Sequence, residues 1–232
     1  MTDSASKTPL PVRKPPWPPA ATIFLVVITA FVIGTVQEYR LRKNTPSQTS
    51  LEFAEQAFQK GDDRTALKLF GDLANKNNPN AEYWLGHMNE IGLGIPRDVT
   101  KAIGLYKKAA EQNIVAAEAR LGALYLNGDL VTPDFGQAKS YLERAAFHAN
   151  PRSAMLLGEM YRAGIGTPVD QKQAYAWSEV ASLEGSEFAL RERDSSLHDL
   201  DVSDQQAAVA HAHEIMKEIK QKTTVPQVPE AK

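Results

Sequence analysis

The sequence predicts an all-α protein, a helix-turn-helix repeat solenoid behind one N-terminal transmembrane helix. Three observations carry that reading. The stretch Ala81-Glu-Tyr-Trp-Leu85-Gly86 recurs as Ala117-Glu-Ala-Arg-Leu121-Gly122 and as Ser153-Ala-Met-Leu-Leu157-Gly158, each time after 36 residues and without a gap. The same step carries Gly92 to Gly128 and Gly164, Asp98 to Asp134 and Asp170, and Ala102 to Ala138 and Ala174. Self-similarity at a period of roughly 20–50 residues marks stacked units, each with an apolar face that it cannot bury alone. Within each unit a glycine- and proline-rich turn separates two helical apolar patterns. Upstream of them all, Ala20 to Val36 holds 17 residues without a charge.

Composition then narrows the function classes. The absence of cysteine excludes disulfides, cysteine nucleophiles and thiolate metal sites. The chain carries a net charge of −2, unevenly spread: residues 1–50 sum to +4 and residues 51–232 to −6. A mildly acidic domain without a basic stripe argues against nucleic acid as the partner.

Residues 1–19 hold six prolines and the basic Lys7, Arg13 and Lys14, and read as a disordered tail. The uncharged run would span about 26 Å as a helix, at the short end of a bilayer crossing. Trp17 and Tyr39 flank it where an aromatic belt would lie. The anchor is placed at 20–38, and the membrane is thereby a partner. A cleaved signal peptide is the rival reading, although no Ala-x-Ala site follows the run. Flanking charges tie, with Lys7, Arg13 and Lys14 set against Arg40, Arg42 and Lys43. A short basic tail before a first span favours the N-terminus inside, which would put the repeats outside the cytoplasm, in the periplasm of a bacterium.

A polar linker occupies 39–50. Residues 51–80 read as an atypical first repeat, with helices from Ser50 to Gln59 and from Arg64 to Asn75 around Gly61-Asp-Asp63. The three full repeats cover 81–185, with first helices near 80–91, 116–127 and 152–163 and second helices near 98–112, 134–148 and 170–183. Glycine ends each first helix through a positive φ, proline prevents its continuation, and aspartate faces the next helix's N–H groups. Without a preceding strand or a following Gly-Lys-Ser/Thr, the Gly-x-Gly turns are not phosphate loops. Gly86, Gly122 and Gly158, inside the first helices, would each cost about 1 kcal/mol against alanine, and so predict close helix approach. Leu85, Leu121, Leu157, Leu105, Tyr141 and Trp177 are expected to fill between the helices. Capping helices follow over 186–221, with Ser203 as an N-cap and Ala210 keeping the 36-residue phase. Residues 222–232 read as a disordered tail.

The pattern Ala-x-x-x-Leu-Gly-x-x-Tyr-x-x-Gly-x-Gly…Asp-x-x-x-Ala…Ala-Ala resembles the Sel-one-like repeat (SLR) family, a relative of the tetratricopeptide repeats. Tyr125 and Tyr161 hold the family's tyrosine position, where the first repeat has Asn89. Leu130 replaces the second turn glycine of the second repeat. The resemblance implies a TPR-like right-handed superhelix, adaptor or scaffold roles in protein complexes, and no catalytic residues or cofactor.

With Leu85 at 0° on a helical wheel, Ala81, Met88 and Asn89 fall on the packed face. Tyr83, His87 and Glu90 fall on the opposite side. Their counterparts are Ala119, Ala123 and Leu126, then Met155, Glu159 and Arg162. First helices are expected to line a concave surface, so these residues predict a strip for a protein or extended peptide. Trp84 lies at the edge of the packed face, as core or as a possible edge contact. Catalysis finds little support. His211 and His213 stand two apart and cannot chelate one metal, and His87 with Glu90 lacks a third ligand. A membrane-anchored, non-catalytic adaptor is the leading reading. A regulatory subunit of a cell-envelope polysaccharide enzyme, or a secreted repeat protein, are the alternatives.

Overall fold

Ten helices make up the described part of the chain, a computed structural model covering residues 46–183 and 187–224. They are α1 (Pro46–Gln59), α2 (Asp63–Ala74), α3 (Pro79–Ile91), α4 (Val99–Glu111), α5 (Val115–Asn127), α6 (Phe135–Phe147), α7 (Pro151–Ala163), α8 (Gln171–Ser182), α9 (Glu187–His198) and α10 (Val202–Thr224). No strand occurs among the described residues. The architecture is a helical repeat solenoid in which each helix packs on its chain neighbours from α2 to α9. Among the described residues no helix is long and apolar enough to cross a membrane. The expected anchor at 20–38 and the tail at 1–19 lie outside the described residues, as does 225–232.

The helix boundaries follow from local chemistry. Asp98, Asp134 and Asp170 accept backbone N–H bonds from Lys101, Gln137 and Gln173 at 2.9–3.0 Å, satisfying donors that have no partner within their own helix. Asn78 and Asn150 do the same for α3 and α7. At the other ends, Gly92, Gly128 and Gly164 take φ of 70–76°, a conformation open to glycine without a side-chain penalty.

The small residues do what close packing needs. A Cβ added at Gly86 would stand 2.9 Å from the Tyr106 ring, at Gly122 2.6 Å from Leu142, and at Gly158 2.8 Å from the Ser178 hydroxyl. These three partners recur at 36-residue steps in the second helices. The fully buried fillers are thus Tyr106 and Leu142, one residue beyond the expected Leu105 and Tyr141, which are only half-buried. Leu85 is also half-buried, whereas Leu121, Leu157 and Trp177 are buried as expected.

The C-terminal part departs from the repeat. Asp201, not Ser203, caps α10, accepting from Asp204 N–H at 2.8 Å. Ala210 keeps the sequence phase but lies exposed, while Ala208, Ala212, Ile215 and Ile219 are buried. Their i, i+4, i+7, i+11 spacing makes one apolar stripe, which packs on α8 and, less extensively, on α6. α10 is therefore a long helix laid along second helices, and it includes 222–224, assigned by sequence to the tail.

Candidate interaction face on the first helices

The candidate site is built from the first helices α1, α3, α5, α7 and α9, whose side chains meet from one repeat to the next. At the N-terminal end rings gather. Trp84 stacks on Phe70 with centroids 5.9 Å apart and tilts against Phe58 at 5.0 Å. Its indole N–H donates to Glu55 Oε1 at 3.2 Å. Tyr83 lies 5.4 Å from Trp84 and 5.8 Å from Tyr106, and His87 lies 6.1–6.2 Å from Phe58 and Trp84. Tyr83, Trp84 and His87 are each half-buried. Burial pushes the Tyr83 hydroxyl up and the His87 imidazole down, with Glu90 pulling His87 back up.

Glu90 corrects the wheel. It was expected to face solvent, yet its side chain is 2% exposed. Tyr106 OH donates to its Oε2 at 2.8 Å, as does Arg120 Nε at 2.8 Å, while Arg120 Nη2 contacts Oε1. Burial alone would raise the Glu90 carboxyl, but the bonds from Arg120 and Tyr106 hold it below the ordinary value. The same bond and burial push the Tyr106 hydroxyl upward. Arg120 itself remains 38% exposed. The ion pair thus joins α3 to α5 with the guanidinium outermost.

Elsewhere on the strip Ala119 is half-buried and Ala123 is buried, so Ala123 also departs from the expected exposure. On α7, Met155 is half-buried and Glu159 exposed. Arg162 Nε approaches Glu192 Oε2 to 2.8 Å, close enough for an ion pair though not aligned as a hydrogen bond. The two ion pairs share one relation to the repeat. Positions 90 and 120 become 162 and 192 two repeats later, with the charges exchanged. Between them the equivalent positions hold Leu126 and Leu156, both half-buried in one apolar cluster. Sequence reasoning missed Arg120 and Glu192. The signal available was a 30-residue offset between opposite charges recurring at the repeat phase.

A second layer lies beneath the face. Glu118 is fully buried in α5 with Arg144 Nη2 2.5 Å away, though neither carboxylate oxygen is aligned for a hydrogen bond. Burial raises its carboxyl, and Arg144 and His148 offset part of that rise. Glu82, one repeat earlier, is likewise buried and accepts from Gln112 Nε2 at 3.0 Å. These acids hold first helices against second helices and do not converge on a reacting position. Among the described residues no group of three or more His, Asp or Glu could hold a metal ion.

Residues 79–114, 115–146 and 151–186 each match the Sel1 repeat. The chain thus contains three Sel1 repeats. A solved Sel1 repeat protein from Oxalobacter formigenes, 24% identical, superposes with a TM-score of 0.62 over 77% of this chain and 74% of that one. Two curated relatives match part of the chain. "Chitin synthase regulatory factor 3" of Schizosaccharomyces pombe is 30% identical over 55% of this chain and 15% of its own length. The "Exopolysaccharide production negative regulator" of Rhizobium leguminosarum bv. viciae is 25% identical over 60% of this chain and 57% of its own length. The alignments thus span less than two thirds of either relative.

Proposed function

We propose that this Sel1-repeat chain is a membrane-anchored, non-catalytic adaptor that holds a protein or extended peptide on its first-helix face. One observation carries the reading: half-buried rings and apolar groups sit on successive first helices, with Tyr83, Trp84 and His87 on α3, Leu126 on α5, and Met155 and Leu156 on α7. Half-buried groups of this kind still have apolar area to lose on binding, at roughly 25 cal/mol per Å². Glu90 and Arg162 are paired, with Arg120 and Glu192, which suits a surface that positions a partner rather than one that moves protons. No cofactor enters the proposal.

The names of these relatives favour a regulatory form of the same role. Both are regulators, one of a chitin synthase and one of exopolysaccharide production. By that analogy the partner would be an enzyme of cell-envelope polysaccharide, or a protein controlling it. The anchor at 20–38 would keep the repeats beside such a membrane-bound assembly, on the extracytoplasmic side. Cleavage of that segment would instead release a soluble repeat protein.

The test is in-cell crosslinking and affinity purification of the wild type beside a Met155→Ala/Glu159→Lys double variant. Tyr83 is left intact because its ring packs on Trp84 and Tyr106. A protein captured by wild type and lost from the variant is the expected result. Equal capture by both would move the contact off the first-helix face and sink the reading.

A further inference from the structure

The first-helix face reads ionic, apolar, ionic along the array, and the two ionic junctions are asymmetric in the same sense. At Glu90–Arg120 the side-chain exposures are 2% and 38%, with the carboxylate beneath. At Glu192–Arg162 they are 27% and 38%, again with the guanidinium the more exposed. The order of the charges in the sequence is reversed between the two, yet arginine is the more exposed group at both. At the first bridge the acid is covered and the guanidinium faces solvent; at the second both groups are partly exposed, the guanidinium the more so.

Between the bridges lies an apolar stretch. Leu126 of α5 and Met155 and Leu156 of α7 are half-buried in one cluster, and α5 and α7 are in contact. The small Ala119 and Ala123 keep α5 low there. Beside Arg120 a cleft of about 60 Å³ opens among Ala123, Leu124, Asn127, Asp129 and Leu130. That volume admits an alkyl tip and not a larger ligand. Glu159 is exposed on α7 between Met155 and Arg162, and Asp129 lines the cleft, so acid is disfavoured over the centre of the stretch.

From this pattern we infer that the occupant of the first-helix face is an extended protein segment with an aliphatic centre flanked on both sides by acidic residues. The inference rests on the adaptor reading and gives its partner a chemistry. Aliphatic side chains cover Leu126, Met155 and Leu156, and one alkyl group enters the cleft by Ala123. The flanking carboxylates accept from Arg120 at one end and Arg162 at the other. Guanidinium groups already oriented by a paired carboxylate lose little further freedom on binding, which favours such contacts. A basic segment would meet two guanidinium groups at its ends and is disfavoured by the same geometry.

The probe is a phage-displayed library of random dodecapeptides, panned on the full-length chain in detergent micelles. Enriched peptides should carry Leu, Ile or Val at the centre with Asp or Glu on both sides, and bind roughly tenfold more weakly as salt rises from about 0.05 M to about 0.5 M. Arg162→Gln should erase the acidic preference on one side only. For the other side the double variant Glu90→Gln/Arg120→Gln is used, because Arg120→Gln alone would strand a buried carboxylate. Enrichment of basic or uncharged flanks, an acidic preference unchanged in both variants, or no enrichment at all would overturn the inference. If crosslinking still captures a prey that wild type holds and Met155→Ala/Glu159→Lys loses, the adaptor reading stands and only this partner chemistry falls. Loss of both results removes both.

Discussion

Glu90 and Glu118 are buried carboxylates on neighbouring first helices, and their surroundings push them in opposite directions. Glu90 is held below its ordinary value by Arg120 and Tyr106, against the effect of burial. The stability it contributes is present above its unfolded value near 4.5 and is lost as pH falls through the lower folded value. Glu118 is raised by burial beyond what Arg144 and His148 offset, so the folded state favours its protonated form. Its penalty is full at neutral pH and is relieved as pH falls through the raised folded value towards 4.5. Urea titrations from pH 7 down to acid should therefore separate two variants. Relative to wild type, Glu90→Gln should be destabilised at pH 7, with the gap closing in acid. Glu118→Gln should gain on wild type at neutral pH and lose that advantage in acid. Parallel profiles for both variants would mean that the two environments are alike after all. Neither environment was legible in the sequence. A wheel drawn for one helix places Glu90 away from that helix's own core, and it has no knowledge of Arg120 on the next repeat.

At the scale of the element, glycines inside helices divide by what stands opposite them. Gly122 in α5 faces Leu142, so a methyl group there would press on a buried leucine from 2.6 Å. Gly104 in α4 has nothing within 4 Å of a built Cβ. Helix propensity favours alanine at either site by about 1 kcal/mol, while overpacking a buried contact costs about 1–3 kcal/mol. Gly104→Ala should therefore raise stability by about 0.5–1 kcal/mol, and Gly122→Ala should lower it by a similar or larger amount. Thermal or denaturant melts of the two variants read this directly. A stabilised Gly122→Ala would show that the helix pair can part without loss, against close approach as the reason for the glycine. This packing was half legible. The recurrence of Gly86, Gly122 and Gly158 announced close contact, but the opposing side chain was assigned one residue early. Sequence spacing fixes which helices meet more readily than the rotation of each about its axis. The aspartate caps were fully legible, because a cap is decided by residues within three positions of it.

For the whole molecule, repeat phase predicted the array from α3 to α8 and failed where the repeat ended. α10 turns Ala208, Ala212, Ile215 and Ile219 inward and leaves Ala210 outside, because it packs along α8 and α6 instead of pairing as a repeat's second helix. Among the described residues, three buried clusters run through the array from Ala54 to Ile219. Folding of the array and membrane attachment should therefore be separable. Removing residues 1–45 should leave the melting temperature and helicity of the repeats unchanged, since no side chain of the described core is lost. If 20–38 is a retained anchor, the intact chain should stay in the membrane pellet after an alkaline carbonate wash, and the shortened one should be released. Intact mass of the pelleted chain should then begin at the N-terminal residues. A mature start near Thr35 would convert the anchor into a cleaved signal and leave the first-helix face to work in solution. A drop in melting temperature on removing 1–45 would show instead that the N-terminal residues help to cover the array.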